Sequence, residues 1–170
     1  MNPLIRKAVM SDLEPVKTLT EACAEKMIND GIYQWNDHYP SREIFGKDIK
    51  EQVLYVWDEE NLIKGCIMFS AEKDKVYDSA KWLTPDNKNL YIHRLAVHPI
   101  FQKKGVGKKL MDFAESMAKK ENYVSIRLDT FSQNKSNNTF YESRGYKKLG
   151  DVFFRKQSEL PFHYYEKILQ

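Results

Sequence analysis

Apolar residues recur along the chain at two spacings, and the switch between them predicts its elements. Residues 4–9 read as a first strand. Leu13, Val16, Leu19, Cys23 and Met27 then keep the 3.6-residue period of one helix face, and Gly31 is a suitable stop. Ser11-Asp12-Leu13-Glu14 has the form of a capping box at its start, although Pro15 blurs the first turn. A short second helix is expected from a Ser41 cap through Ile49. Residues 53–57 and 63–71 read as a hairpin turning at Asp58-Glu59-Glu60-Asn61. A polar connection over 73–89 carries Tyr77 and Trp82, and a strand over 90–97 stops at His98-Pro99.

A helix is expected over 107–120, with Leu110, Met111, Ala114, Met117 and Ala118 on one face. A strand over 123–131, a helix over 136–144 closed by Gly145, and strands over 146–154 and 162–169 complete the chain. The order β-α-α-β-β-β-α-β-α-β-β is that of a mixed α/β protein.

Composition narrows the function classes. With 170 residues, one domain over 1–170 is expected. The 27 Lys and Arg nearly cancel the 24 Asp and Glu, so no basic nucleic-acid arm, and no nucleic-acid partner, is expected. No run of 18 apolar residues occurs, which argues against a membrane span. The first residues lack an apolar targeting segment, so a cytoplasmic location is the default expectation. Cys23 and Cys66 stand far apart without a CxxC, and read as two buried thiols rather than a disulfide or metal site. No metal is expected.

The sharpest chemical signal is Gln102-Lys103-Lys104-Gly105-Val106-Gly107, between a strand and a helix. Two glycines let the backbone approach a ligand closely. The N–H groups that open a helix, with the helix dipole behind them, favour an anion. Lys103, Lys104, Lys108 and Lys109 add positive charge, so a phosphate is the natural partner. A Walker A loop fails at Gln102 and Lys109. A dinucleotide fingerprint lacks a small residue at Leu110, although Asp129 at the end of the next strand keeps it in play. The Q-x-x-G-x-G turn of acyl-CoA transferases is matched at every fixed position.

Residues 90–146 resemble the GNAT superfamily of N-acetyltransferases on three segments. These are Leu95-Ala96-Val97-His98-Pro99, the turn from Gln102 to Gly107, and the stretch from Asn134 through Tyr141-Glu142 to Gly145-Tyr146. The resemblance implies an α/β acyltransferase fold with a mixed, mostly antiparallel central sheet flanked by helices. It also implies acetyl-CoA as co-substrate and an amine as acceptor. By that resemblance, the Leu95 N–H binds the thioester carbonyl, and Val97 pairs with the pantetheine arm like an added strand. Gln102 and the backbone of Lys103, Lys104, Gly105, Val106, Gly107 and Lys108 form the pyrophosphate site. Asn134 contacts the cofactor, and Tyr141 reaches its sulfur.

Elementary chemistry agrees. Amine attack on a thioester creates an oxyanion that needs a positioned donor. Collapse expels a thiolate, and a phenol of pKa about 10 can protonate it. Asn137 or Asn138 shares a helix face with Tyr141, with Asn134 about two turns back, so one face can line a cofactor groove. An alkylammonium must lose a proton before attack. Strand alternation places Tyr91, His93, Leu95 and Val97 on one face. Many family members carry a glutamate on this strand; here His93 is the candidate base, directly or through water.

The acceptor is expected against Trp35 and Tyr39 of the loop after the first helix, with Tyr91 beside it. A small-molecule amine is the first reading. A peptide or protein amine, and a non-catalytic acyl-CoA or nucleotide-binding module, are the alternatives. Neither cysteine lies in a nucleophile motif, so direct attack is expected rather than a covalent enzyme intermediate. The family analogy also allows a homodimer through the C-terminal strands.

Overall fold

The computed structural model describes residues 4–169. Its elements are β1 (Leu4–Lys7), α1 (Leu13–Asn29), α2 (Arg42–Lys50), β2 (Leu54–Glu59), β3 (Leu62–Ser70), β4 (Asn89–Val97), α3 (Val106–Lys120), β5 (Ser125–Phe131), α4 (Lys135–Ser143), β6 (Lys147–Val152) and β7 (Phe162–Ile168). Short 3-10 turns lie at Met10–Asp12, Lys75–Ser79 and Pro99–Phe101. The order of strands and α-helices is the one the periodicity predicts. The fold is α/β, with one seven-stranded, mostly antiparallel sheet of order β1-β2-β3-β4-β5-β7-β6.

Two compact units divide the chain, Met1–Phe69 with His93–Ala114, and Ser70–Ile92 with Glu115–Gln170. The division falls within β4 and within α3.

In the first unit β1, β2 and β3 pair antiparallel. Glu60 and Asn61 both take left-handed φ, 55° and 64°, so the hairpin closes on two residues. Asp58 and Glu59, expected in the turn, therefore belong to β2. Val16, Leu19 and Cys23 of α1 pack with Phe45 and Ile49 of α2, and with Leu54, Val56, Cys66, Met68 and Ala96 of the strands. Gly65 is required by close packing, since a Cβ there would lie 2.9 Å from the Ala96 carbonyl oxygen. Both thiols are free and buried, as expected, and burial pushes Cys23 up to about 12. The Ser41 hydroxyl caps α2 by accepting from the Ile44 N–H. The expected Ser11–Glu14 capping box does not form. The Asp12 carboxylate instead accepts from the Val9 N–H at 2.8 Å and from Arg6, which fixes a 3-10 turn ahead of α1.

In the second unit β4 pairs parallel with β5 at Asn89↔Ser125 and Tyr91↔Arg127, and β5 and β6 pair antiparallel with β7. Arg127 is wholly buried on β5. It donates to Glu166 at 3.2 Å, Asp86 at 2.7 Å and the Tyr91 hydroxyl at 2.8 Å, with its guanidinium 4.5 Å from the Trp82 ring centre. A buried cation is tolerable only with such partners. These bonds draw the connection that carries Trp82, Thr84 and Asp86 onto β5.

Candidate active site

The glycine turn is built by the first unit. The first helical bond of α3 runs from the Lys109 N–H to the Gly105 carbonyl at 3.0 Å. The N–H groups of Val106, Gly107 and Lys108 therefore precede the helical ladder and have no carbonyl within the helix. Lys103 and Gly105 take φ of 62° and 87°, so the turn needs glycine at 105 on conformational grounds. Gly107 is different. A Cβ there would meet only Val97 Cγ2, at an ordinary 3.6 Å, so packing within the protein does not demand glycine. The side chains of Lys103, Lys104 and Lys108 are exposed.

Two expectations about this turn change. The Gln102 amide donates to the Val97 carbonyl at 2.9 Å, so it braces the turn rather than pointing at a ligand. The Cys23 thiol donates to the same carbonyl at 3.1 Å. Both lone pairs of the Val97 carbonyl are thus engaged, and strand-like pairing with a pantetheine arm is left to its N–H.

Within β4, Arg94 takes a left-handed φ of 51°. A non-glycine residue there costs on the order of 1–2 kcal/mol. Its buried guanidinium compensates by gripping both oxygens of Asp48, at 2.7 and 2.9 Å, and by donating to the Tyr39 hydroxyl at 3.1 Å. Burial holds the Asp48 carboxyl above its usual range despite that cation. The kink interrupts the period of two, so alternation no longer places Tyr91 and His93 on one face with Leu95 and Val97. His93 and Leu95 flank the kink, both half-buried.

The expected acceptor aromatics are also revised. Trp35 is only 8% exposed and belongs to the core of the first unit, because its loop folds back on α1 and β2. Tyr39 is fastened to Arg94. Tyr91 is 3% exposed, accepts from Arg127 and stacks on Tyr77, so it serves the buried network of the second unit.

In that second unit Asn134 caps α4, its Oδ1 accepting from the Asn137 N–H at 3.1 Å. The Asn137 amide donates to Thr130 at 3.3 Å, and the Asn138 amide donates to the Phe131 and Asn134 carbonyls. These asparagines tie the helix to β5, which is a structural use of groups expected to face a cofactor. Tyr141 is buried, with its ring edge-on to Phe140 and Tyr146. Burial raises its pKa well above that of a free phenol, and the nearby Asp129 charge adds to the effect. It therefore stays a neutral donor across the working pH range. Among the described residues, no side chain hydrogen-bonds its hydroxyl.

The model of the acetyltransferase (GNAT) family matches residues 16–146. The chain belongs to that family. The match covers the glycine turn, the kinked strand and Tyr141. This GNAT protein is accordingly an acyltransferase that uses acetyl-CoA. It is 26% identical over 147 residues to the uncharacterized N-acetyltransferase YesJ of Bacillus subtilis, covering 84% of this chain and 81% of that one. Its fold is that of a GNAT-family acetyltransferase from Streptococcus agalactiae, with a TM-score of 0.81 at 24% identity over 99% of this chain and 96% of that one. A PaiA N-acetyltransferase from Thermoplasma acidophilum, solved in complex with coenzyme A, aligns at a TM-score of 0.72 and 21% identity over 99% and 100% of the two chains.

The sequence analysis singles out none of Arg94, Asp48 and Arg127, and it notes Asp129 only as support for the rival dinucleotide fingerprint. For Arg94, Arg127 and Asp129 the available signal was charge inside strand patterns. An arginine or aspartate in the middle of an apolar strand needs a partner, although the strand does not say which.

Proposed function

We propose that the chain is a single catalytic domain over 1–170 that acetylates the primary amine of a small molecule by direct attack on acetyl-CoA. The observation that carries this reading is the opening of α3. Three backbone N–H groups precede its helical ladder, behind a left-handed Gly105 and beside a Gly107 that packing does not require. That combination fits a pyrophosphate held by backbone.

In the reaction the Leu95 N–H donates to the oxyanion formed when the amine nitrogen adds to the thioester carbon. Tyr141 gives its proton to sulfur as the carbon–sulfur bond breaks, and recovers one from the new amide nitrogen. Gln102, Lys103, Lys104 and Lys108 support the turn by bracing and by charge. A small acceptor is favoured over a peptide by the Tyr39–Arg94–Asp48 linkage, which ties the loop after α1 down rather than leaving an open groove there.

The test is free-thiol release from acetyl-CoA across a panel of small amines, run beside peptides with free α-amines and lysines. Turnover with small amines supports the proposal. Selective turnover of peptides moves the acceptor class, and CoA binding without turnover of any amine favours a binding module.

A further inference from the structure

The reaction just proposed needs a group that removes a proton from the acceptor ammonium, and the second unit offers one that His93 does not exhaust. Side chains on β5 alternate between faces. Ser125, Arg127 and Asp129 share one face, and Ile126, Leu128 and Thr130 share the other. The second face carries α4, because the Asn137 amide reaches Thr130. The first face carries the connection from β3, because Thr84 and Asp86 bond Arg127 and the Tyr77 hydroxyl donates to Asp129. Asp129 and Tyr141 therefore approach the end of β5 from its two faces. A thioester and an incoming amine must also arrive by separate routes, one past the acid and one past the base.

We propose that Asp129 is the catalytic base for the acceptor amine, taking its proton on the face of β5 opposite α4. This rests on the acetyltransferase reading above. The step balances: the ammonium proton passes to the Asp129 carboxylate, and the freed lone pair forms the bond to the acetyl carbon. The proton on Asp129 is later released to solvent. The net products are the acetamide, CoA thiol and one proton.

The surroundings suit the role. Asp129 is half-buried as a residue, and the Tyr77 hydroxyl holds one oxygen of its carboxylate. Burial, with Asp74 adding to it, pushes its pKa up to about 7, while the Tyr77 hydrogen bond pulls it down. A base poised there is matched to neutral pH. The other groups around it are Tyr164, its register partner on β7, Tyr141 from α4, and Arg127 two residues back, which is already engaged by Glu166 and Asp86.

The experiment compares wild type with Asp129→Asn, Tyr77→Phe and His93→Gln, using the best amine of the panel. CoA binding by calorimetry checks that each variant is folded. Asp129→Asn is expected to lower kcat about 100-fold or more near pH 7. Its deficit should shrink as pH nears the pKa of the acceptor ammonium, and the limb of kcat/KM near pH 7 should vanish, leaving only the rise set by the amine itself. Tyr77→Phe should move that limb to higher pH, since it removes the bond that lowers the Asp129 pKa. A limb near pH 7 that persists in Asp129→Asn, or that disappears in His93→Gln alone, overturns the proposal. If wild type turns over no amine, the acetyltransferase reading has failed instead. Carboxyl carbon NMR of Asp129 in the free protein then decides the base. Titration near 7, perturbed by a primary alkylammonium ion, supports the site, and titration in the ordinary aspartate range overturns it.

Discussion

The Gln102 amide donates to the carbonyl of Val97 at 2.9 Å, joining the glycine turn to the strand that precedes it. The bond spans five residues and sits outside any helix or sheet ladder. Gln102→Leu keeps the bulk and removes the donor. CoA affinity should fall about tenfold, the worth of one hydrogen bond that holds a loop in place. Calorimetry with CoA checks this, and unchanged affinity would show that the turn holds its shape unaided.

Gly107→Ala separates ligand from scaffold. The new methyl group meets only an ordinary contact with Val97, and alanine is the better helix residue. Thermal stability should hold or rise slightly, while CoA affinity falls at least tenfold because the methyl group occupies the space over the phosphates. Parallel loss of Tm and affinity would instead mark Gly107 as structural.

Tyr141→Phe should lower kcat about 100-fold with little change in the acetyl-CoA KM, as expected for a group that acts only as sulfur gains charge. Rapid-quench kinetics on the chemical step provide the measurement. An unchanged rate removes Tyr141 from the acid role.

Asp48→Ala leaves the Arg94 guanidinium buried without its main anion. The cost should be about 3–5 kcal/mol, the range for breaking a buried pair from one side. Denaturant titration reads it. A loss below about 1 kcal/mol would mean that water replaces the carboxylate, as at an exposed pair.

Stability should depend on pH through Asp129. Its folded pKa, about 7, lies above the unfolded carboxyl value near 4. Between those values the folded state binds the extra proton, so its contribution is full below about pH 4 and is lost as pH rises toward 7. Asp129→Asn should flatten that part of the profile in urea melts taken at several pH values. An identical slope in both proteins would place the carboxyl pKa low.

Local chemistry was legible in the sequence and distant pairing was not. The helices of Leu13 and Leu110 and the turn at Gly105 depend on residues a few positions apart, so spacing reveals them. The Ser11 capping box failed because Ser11 lies inside the 3-10 turn and the Glu14 carboxylate is bound by Arg42, 28 residues on. Arg94, 46 residues from Asp48, and Arg127, 39 from Glu166, find their partners only in the folded chain. Trp35 and Tyr91 looked like ligand aromatics because composition cannot tell a pocket wall from a core.

The connection between β3 and β4 holds little regular structure, yet it is pinned at both ends. Tyr77 is bound to Asp129, and Thr84 is held by Glu166 and Arg127. Its length between those anchors is therefore set by the strands beneath it. Relatives can diverge there by exchanging the outward residues at Lys81 and Leu83, but an inserted residue would have to break one anchor or the other. Variation in this stretch should be written in side chains and not in loop length.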